Sequence, residues 1–237
     1  MLADSIKILE TYLKWPYNGH VFIFTNKVTL ADIQQHTFTE ILSHKNAAHN
    51  HGHSLAMSIF NAIFTCADGL DGKKVLDIGG NTGYFSFLAT EAGAEVTMIE
   101  KDAERATVAK AMAEVRELKV NIINDSIQNY LDSSTETFDC AFMLNTFDQM
   151  LRENEVTAWK VLKQVSKRCK MLFLMMGPTA QIPTAKGIET GNPSITASVI
   201  ERFSKPDYEV ILEKTVYKNY EILATHIYEE RQLQAYW

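Results

Sequence analysis

From Lys73 onward the chain alternates two kinds of hydrophobic pattern. Short continuous apolar runs occur at KVLDIG (74–79), EVTMIE (95–100), VNIIND (120–125), DCAFMLN (139–145) and KMLFLMMG (170–177), each bounded by Gly, Asp or Asn. Uninterrupted runs of this length predict strands buried on both faces. Helix-length segments separate them, roughly Thr82–Ala92, Ala103–Leu118, Ser126–Leu131 and Glu153–Cys169. Asp102 is placed to cap the second of these, and Gly93 to take the left-handed position that ends the first. Strands alternating with helices predict an α/β fold built on a parallel sheet. The end of the chain differs: YEVILEKTVY (208–217) and EILATHIYEE (221–230) are separated by only Lys218, Asn219 and Tyr220. So short a link joins antiparallel strands but not parallel ones, so a terminal antiparallel hairpin is expected to close the sheet.

Two regions fall outside the alternation. Residues 1–70 hold six of the seven histidines and read as helices around an apolar patch, HVFIF (20–24). They predict an N-terminal helical extension ahead of a main domain over 71–237. Residues 177–194 are rich in Gly, Pro and Thr, and a loop of that length inside a domain is usually functional or mobile. With 46% hydrophobic and 22% charged residues the composition is globular. A formal charge of −6 argues against a broad phosphate-binding face, so a nucleic-acid partner is not expected. Lys160, Lys163, Lys167, Arg168 and Lys170 make only a local patch, read as the solvated face of a helix end. Cys66, Cys140 and Cys169 form neither a CxxC pair nor a disulfide framework, which points to a reducing compartment. The N-terminus lacks the basic start and apolar run of a signal peptide, and no stretch approaches the roughly 18 apolar residues of a membrane span. A soluble, cytoplasmic protein is expected.

The most informative stretch is VLDIGGNTGYFSF (75–87): a buried strand, a turn with Gly79, Gly80 and Gly83, then a helix starting near Thr82. Glycines at this spacing let the backbone approach a ligand, and Asn81 tolerates the left-handed geometry almost as well. Such a turn lies at the carboxyl edge of a parallel sheet, where open α/β folds bind ligands. The second strand ends in Glu100, 21 residues after Gly79, where a carboxylate can accept both hydroxyls of a ribose. A dinucleotide fingerprint starting at Gly79 needs glycine at 81 and 84, and those positions hold Asn81 and Tyr84. The phosphate-cradling GxxxxGK[ST] motif is absent as well. An uncharged, phosphate-free nucleoside fits the turn better.

Over about Lys73–Glu230 the sequence resembles the class I S-adenosylmethionine-dependent methyltransferases. Their first strand and loop, hydrophobic-hydrophobic-Asp-hydrophobic-Gly-x-Gly-x-Gly, read here as Val75-Leu76-Asp77-Ile78-Gly79-Gly80-Asn81-Thr82-Gly83, with Asn81 in place of the middle glycine. The resemblance implies a Rossmann-like, seven-stranded, mostly parallel sheet with S-adenosyl-L-methionine as cofactor. It implies that Asp77, Gly79, Gly80, Asn81 and Gly83 hold the methionine end and that Glu100 binds the ribose hydroxyls. Lys101 or Asp102 would flank the adenine, Asp125 would meet its amine, and Ser126 follows.

Methyl transfer from a sulfonium needs proximity, alignment and exclusion of water, and a base only where the acceptor loses a proton. The segment after the fourth strand, Asn145-Thr146-Phe147-Asp148-Gln149-Met150, is the candidate for this work. Asn145 is placed to fix cofactor or acceptor, and Asp148 to take a proton. The plain reading is that Asp148 caps a following turn and Phe147 is core. His44, His49, His51 and His53 invite a metal site or a neutral imidazole base, with His53 kept as a candidate catalytic group. No Cys or carboxylate cluster accompanies them and Gly52 suggests a turn, so no metal is expected and the plain reading is a polar loop before a helix over Ser54–Thr65. Trp15, Pro16, Tyr17 and His20 are candidates for an acceptor pocket. A small-molecule or glycan-type acceptor methylated at oxygen is the leading expectation. A catalytically silent methyltransferase-like scaffold and a nucleic-acid methyltransferase are the alternatives.

Overall fold

The computed structural model describes residues 2–13, 51–176, 208–226 and 231–237. HVFIF, Trp15, Pro16, Tyr17, His20, His44, His49 and the 177–194 segment lie outside them. In chain order the described elements are α1 (Leu2–Leu13), α2 (His51–Cys66), β1 (Lys74–Ile78), α3 (Tyr84–Glu91), β2 (Glu95–Ile99), α4 (Ala103–Val115), β3 (Val120–Ile123), α5 (Ile127–Ser133), β4 (Phe138–Leu144), α6 (Phe147–Glu153), α7 (Glu155–Arg168), β5 (Cys169–Met176), α8 (Tyr208–Lys214), β6 (Tyr220–His226) and β7 (Arg231–Tyr236). The strands form one seven-stranded sheet in the order β3-β2-β1-β4-β5-β7-β6. The chain divides into two compact units, Met1–Ser126 and Ile127–Trp237.

In the first unit β1 pairs parallel with β2, from Lys74 opposite Glu95 to Ile78 opposite Ile99, and β2 pairs parallel with β3. β1 and β2 each begin with one exposed residue and are then buried throughout, which is why they read as unbroken apolar runs. α4 buries Ala106, Val108, Ala109, Ala111, Met112 and Ala113. Its Asp102 cap forms as expected, the carboxylate accepting from the Glu104 and Arg105 N–H groups at 3.0 Å each. α1 packs along α4, with Leu9 fully buried and the Ser5 hydroxyl donating to Glu114 at 2.7 Å.

In the second unit β4 and β5 pair parallel, β5 pairs antiparallel with β7, and β7 pairs antiparallel with β6. The expected closing hairpin is present, but it uses different residues. Tyr208–Lys214 is helix rather than strand, and β6 pairs with Arg231–Tyr236 instead. A ten-residue apolar segment with several branched residues suits either period, and packing of α8 on α7 decides for the helix. Ile211 is buried there, while Tyr217, past the helix, turns its hydroxyl to donate to the Cys169 carbonyl at 3.1 Å.

Three further boundaries differ from expectation. The segment expected as one helix over Glu153–Cys169 begins only at Glu155. Asn154 breaks it from α6, with φ −161°, and its side chain accepts from the Thr157 N–H at 2.9 Å. α3 starts at Tyr84 rather than Thr82, with Gly83 as its left-handed N-cap. α2 starts at His51, so Gly52 is helical rather than part of a turn. The basic cluster is largely committed to local partners, as expected of a solvated helix end. Lys160 pairs with Asp132, Lys170 with Asp139, and Arg168 donates to the Leu131 and Ser134 carbonyls.

Gly93 takes φ +89° after α3, as its position predicts, and its carbonyl accepts from the Gly72 N–H at 2.9 Å. A Cβ there would overlap the Asp71 carboxylate and lie 3.1 Å from the Asp71 Cα. Gly93→Ala is expected to lower stability by about 1–3 kcal/mol, read as a lower urea midpoint with an unchanged slope.

Candidate active site

At the carboxyl end of β1 the backbone is left-handed at Gly79 (φ +73°), Asn81 (φ +56°) and Gly83 (φ +95°). That alternation turns successive N–H groups in different directions. The Gly79 and Gly80 N–H groups donate to the Ile99 carbonyl at 2.8 and 3.3 Å, and that of Gly83 donates to the Gly80 carbonyl at 2.9 Å. Asn81 holds the position where the resembled family has its middle glycine, and it adopts the geometry expected of it. At Gly80 the constraint is space, since a Cβ would sit 2.6 Å from Met98 Cγ and 3.0 Å from Asp77 Oδ2.

The Asn81 N–H donates to Glu100 Oε2 at 2.8 Å, and the Asp102 N–H donates to Glu100 Oε1 at 2.8 Å. A carboxylate only 5% exposed is thereby held in one orientation by two backbone amides. Asn124 fixes the main chain beneath it, donating to the Glu100 carbonyl at 2.8 Å and the Lys101 carbonyl at 3.2 Å. Asp77, 3% exposed, accepts from the Ser86 hydroxyl at 2.6 Å. Burial pushes the Asp77 carboxyl up to about 6, against the Ser86 hydrogen bond and with the help of the Glu100 charge. Lys101 is exposed, and Asp125 is half-buried just past β3, its carboxylate accepting from the Ser126 N–H at 2.7 Å.

This geometry selects among ligands. Each Glu100 oxygen keeps a second lone pair, so the carboxylate can accept two adjacent hydroxyls. A phosphate at this turn would meet two buried carboxylates, whereas a cation or a neutral diol would not be repelled. S-adenosylmethionine brings a ribose diol, a sulfonium and an ammonium, and these residues fit it.

In the second unit Asn145 follows β4 directly, in left-handed geometry at φ +59°. Its N–H donates to the Met175 carbonyl at 2.8 Å, and its side-chain Oδ1 is buried without a hydrogen-bond partner among the described residues. The rest of the expected loop is the helix α6. Its N-cap is Thr146 rather than Asp148, Phe147 is fully buried core, and Asp148 lies in the first turn. Asp148 is 2% exposed and pairs with Arg152 at 2.9 Å. The backbone of His53 lies in the first turn of α2, and its side chain lies outside the described residues. Among the described residues no group of three or more His, Cys, Asp and Glu side chains is placed to hold a metal.

Sequence reasoning brought out Asp77, the glycine loop and Glu100, which the first unit brings together, but missed Ser86, Asn124 and Arg152. Ser86 lies in the first turn of α3 and Asn124 one residue beyond β3, and neither carries a motif. The one available signal for Arg152 was its spacing, four residues after Asp148 on a helix.

Residues 75–169 match the family model described as a methyltransferase domain. Over 79 residues the chain is 35% identical to the ubiquinone biosynthesis O-methyltransferase of Proteus mirabilis (strain HI4320), covering 33% of this chain and 32% of that protein. The match therefore spans about a third of the length of the curated relative. Among solved structures, the bifunctional kinase-methyltransferase WbdD superposes with a TM-score of 0.57 at 16% identity, covering 77% of this chain and 38% of that one. The T. thermophilus 16S rRNA N2 G1207 methyltransferase RsmC, in complex with AdoMet and guanosine, gives 0.54 at 18% identity, covering 81% and 44%. At such identities the likeness is one of fold. Residues 75–169 match a methyltransferase-domain model within a seven-stranded sheet, an arrangement like that of the class I S-adenosylmethionine-dependent methyltransferases, whose cofactor is S-adenosylmethionine. The RsmC likeness means that the fold does not separate nucleic-acid from small acceptors. No helix among the described residues is long and apolar enough to cross a membrane.

Asp77 makes the ligand-free protein sensitive to pH. Its carboxyl takes a proton more readily folded, at about 6, than unfolded, near 3.8. Its contribution is fully present below pH 3.8 and is lost as pH rises through 6, about 3 kcal/mol in all. Asp77→Asn keeps an acceptor for Ser86 and is expected to gain about that much on the wild type between pH 4 and 7, measured by urea unfolding at each pH.

Proposed function

We propose that this chain transfers the methyl group of S-adenosylmethionine to an oxygen of a small-molecule or glycan-type acceptor. The observation that carries the reading is the Glu100 carboxylate, fixed by the Asn81 and Asp102 amides beside the buried Asp77. In this assignment Glu100 binds the ribose hydroxyls, and Asp77 with Gly79, Gly80, Asn81 and Gly83 holds the methionine end. Asp125 meets the adenine amine with Ser126 beside it, and Lys101 flanks the ring. Asn145 accepts a hydrogen bond at its Oδ1, which has no partner among the described residues, and Asp148 takes the acceptor proton. The choice of oxygen is supported by the name of the Proteus mirabilis relative.

Bound there, S-adenosylmethionine would supply an electrophilic methyl group whose C–S electron pair stays with the departing thioether sulfur, and the Asp148 carboxylate would receive the hydroxyl proton of the acceptor oxygen that takes the methyl. The chain's part is to align the acceptor and exclude water.

Calorimetric titration with S-adenosylmethionine and S-adenosylhomocysteine, beside NAD and ATP, tests the cofactor assignment. Glu100→Ala leaves two buried ribose hydroxyls without their acceptor, about 1–3 kcal/mol, so affinity for both methyl-cycle ligands is expected to fall about 5- to 150-fold. Labelled methyl donor with hydroxyl acceptors, and with rRNA as control, tests the acceptor class. Binding without transfer to any acceptor would favour a silent scaffold, and label in the RNA would move the acceptor class to nucleic acid.

A further inference from the structure

Asp148 and Arg152 stand four residues apart on α6, with Arg152 Nη2 2.9 Å from Asp148 Oδ2. An exposed pair at this spacing contributes little to stability and has no reason to be buried. This carboxylate is almost wholly withdrawn from water, while the arginine side chain is 24% exposed. Taking a charge out of water costs several kcal/mol, and an ion pair repays that only when the remaining donors and acceptors are also hydrogen-bonded. One donor of this pair is not, since Arg152 Nε is buried with no hydrogen-bond partner among the described residues. As a device for stability the pair is poor, and an apolar side chain would hold a seven-residue helix more cheaply.

What the pair does provide is a negative charge in a fixed place. The first turn of α6 is anchored by Phe147, fully buried and edge-on to Trp159 at 5.2 Å. The entry to the helix is anchored by the Asn145 N–H on the Met175 carbonyl. With the backbone pinned at both points, the guanidinium four residues on sets the orientation of the carboxylate. Asn145 Oδ1, three residues ahead of Asp148, is likewise buried and has no hydrogen-bond partner among the described residues. Buried polar atoms left open twice within residues 145–152 mark a segment shaped for a task other than folding.

We infer that Arg152 is a positioning residue, holding the Asp148 carboxylate in the orientation that receives the acceptor proton. The inference rests on the assignment of Asp148 made above. Its test compares wild type, Asp148→Asn, Arg152→Met, Arg152→Lys and Arg152→Ala in methyl transfer to the acceptor identified by the screen, with S-adenosylmethionine binding measured by calorimetry on each. Asp148→Asn and Arg152→Met are expected to lower kcat at least about tenfold, with cofactor Kd within about twofold of wild type. Arg152→Lys is expected to keep most of kcat, and millimolar guanidinium ion to restore part of it to Arg152→Ala, which a purely structural role would not allow. Wild-type kcat in Arg152→Met alongside a slow Asp148→Asn would overturn the inference while leaving the base assignment intact. Wild-type kcat in Asp148→Asn, or no transfer by the wild type to any acceptor, would overturn the assignment and the inference with it. Should Arg152→Met fail to fold, the guanidinium rescue and Arg152→Lys decide: no rescue and a lysine variant as slow as Arg152→Ala would also overturn it.

Discussion

The hydrogen bond from the Asn81 amide to the Glu100 carboxylate is the interaction on which the first unit depends. It exists because the backbone after β1 turns left-handed at Gly79, Asn81 and Gly83, which aims one N–H at the end of β2 and frees the others to close on Ile99 and Gly80. Each half requires the other. Without the amides of Asn81 and Asp102 a carboxylate buried at the end of β2 would be costly, and without that carboxylate a buried N–H would be left unpaired. Asn124 and Ser86 complete the arrangement from β3 and α3, so elements on either side of β1 and β2 hold two carboxylates still.

That rigidity is also electrostatic selectivity. Asp77 is raised toward 6 because burial disfavours its charge, and Glu100 nearby adds to the effect. A site already strained by negative charge accepts hydroxyls and cations and repels phosphate. Nucleotide cofactors that enter α/β sheets through a pyrophosphate need a turn of the opposite character.

The second unit deals with buried charge differently. Asp148 is paired in place with Arg152, and the chain leaves α6 through Asn154, whose extended backbone and capping side chain start α7 afresh. The seven-residue length of α6 follows from that break. A continuous helix through 154 would have left its first turn without the Asn154 cap, and the two helices pack as separate rods.

The sequence by itself determined the parallel sheet, because β1, β2, β4 and β5 are buried on both faces and so are written as unbroken apolar runs. It determined the glycine loop and the acidic residue after β2, because each carries its own residue signal at the end of a recognisable strand. The Asp102 cap and the left-handed Gly93 were legible because each is set within a few residues. Only tertiary structure decided what depends on neighbours distant in sequence. Tyr208–Lys214 reads equally as strand or helix until its packing on α7 is known. Asn124 and Ser86 look like ordinary polar residues until they are found holding Glu100 and Asp77. The raised Asp77 carboxyl and the buried Asp148–Arg152 pair come from desolvation, a property of everything packed around a group, which no local pattern in the chain records.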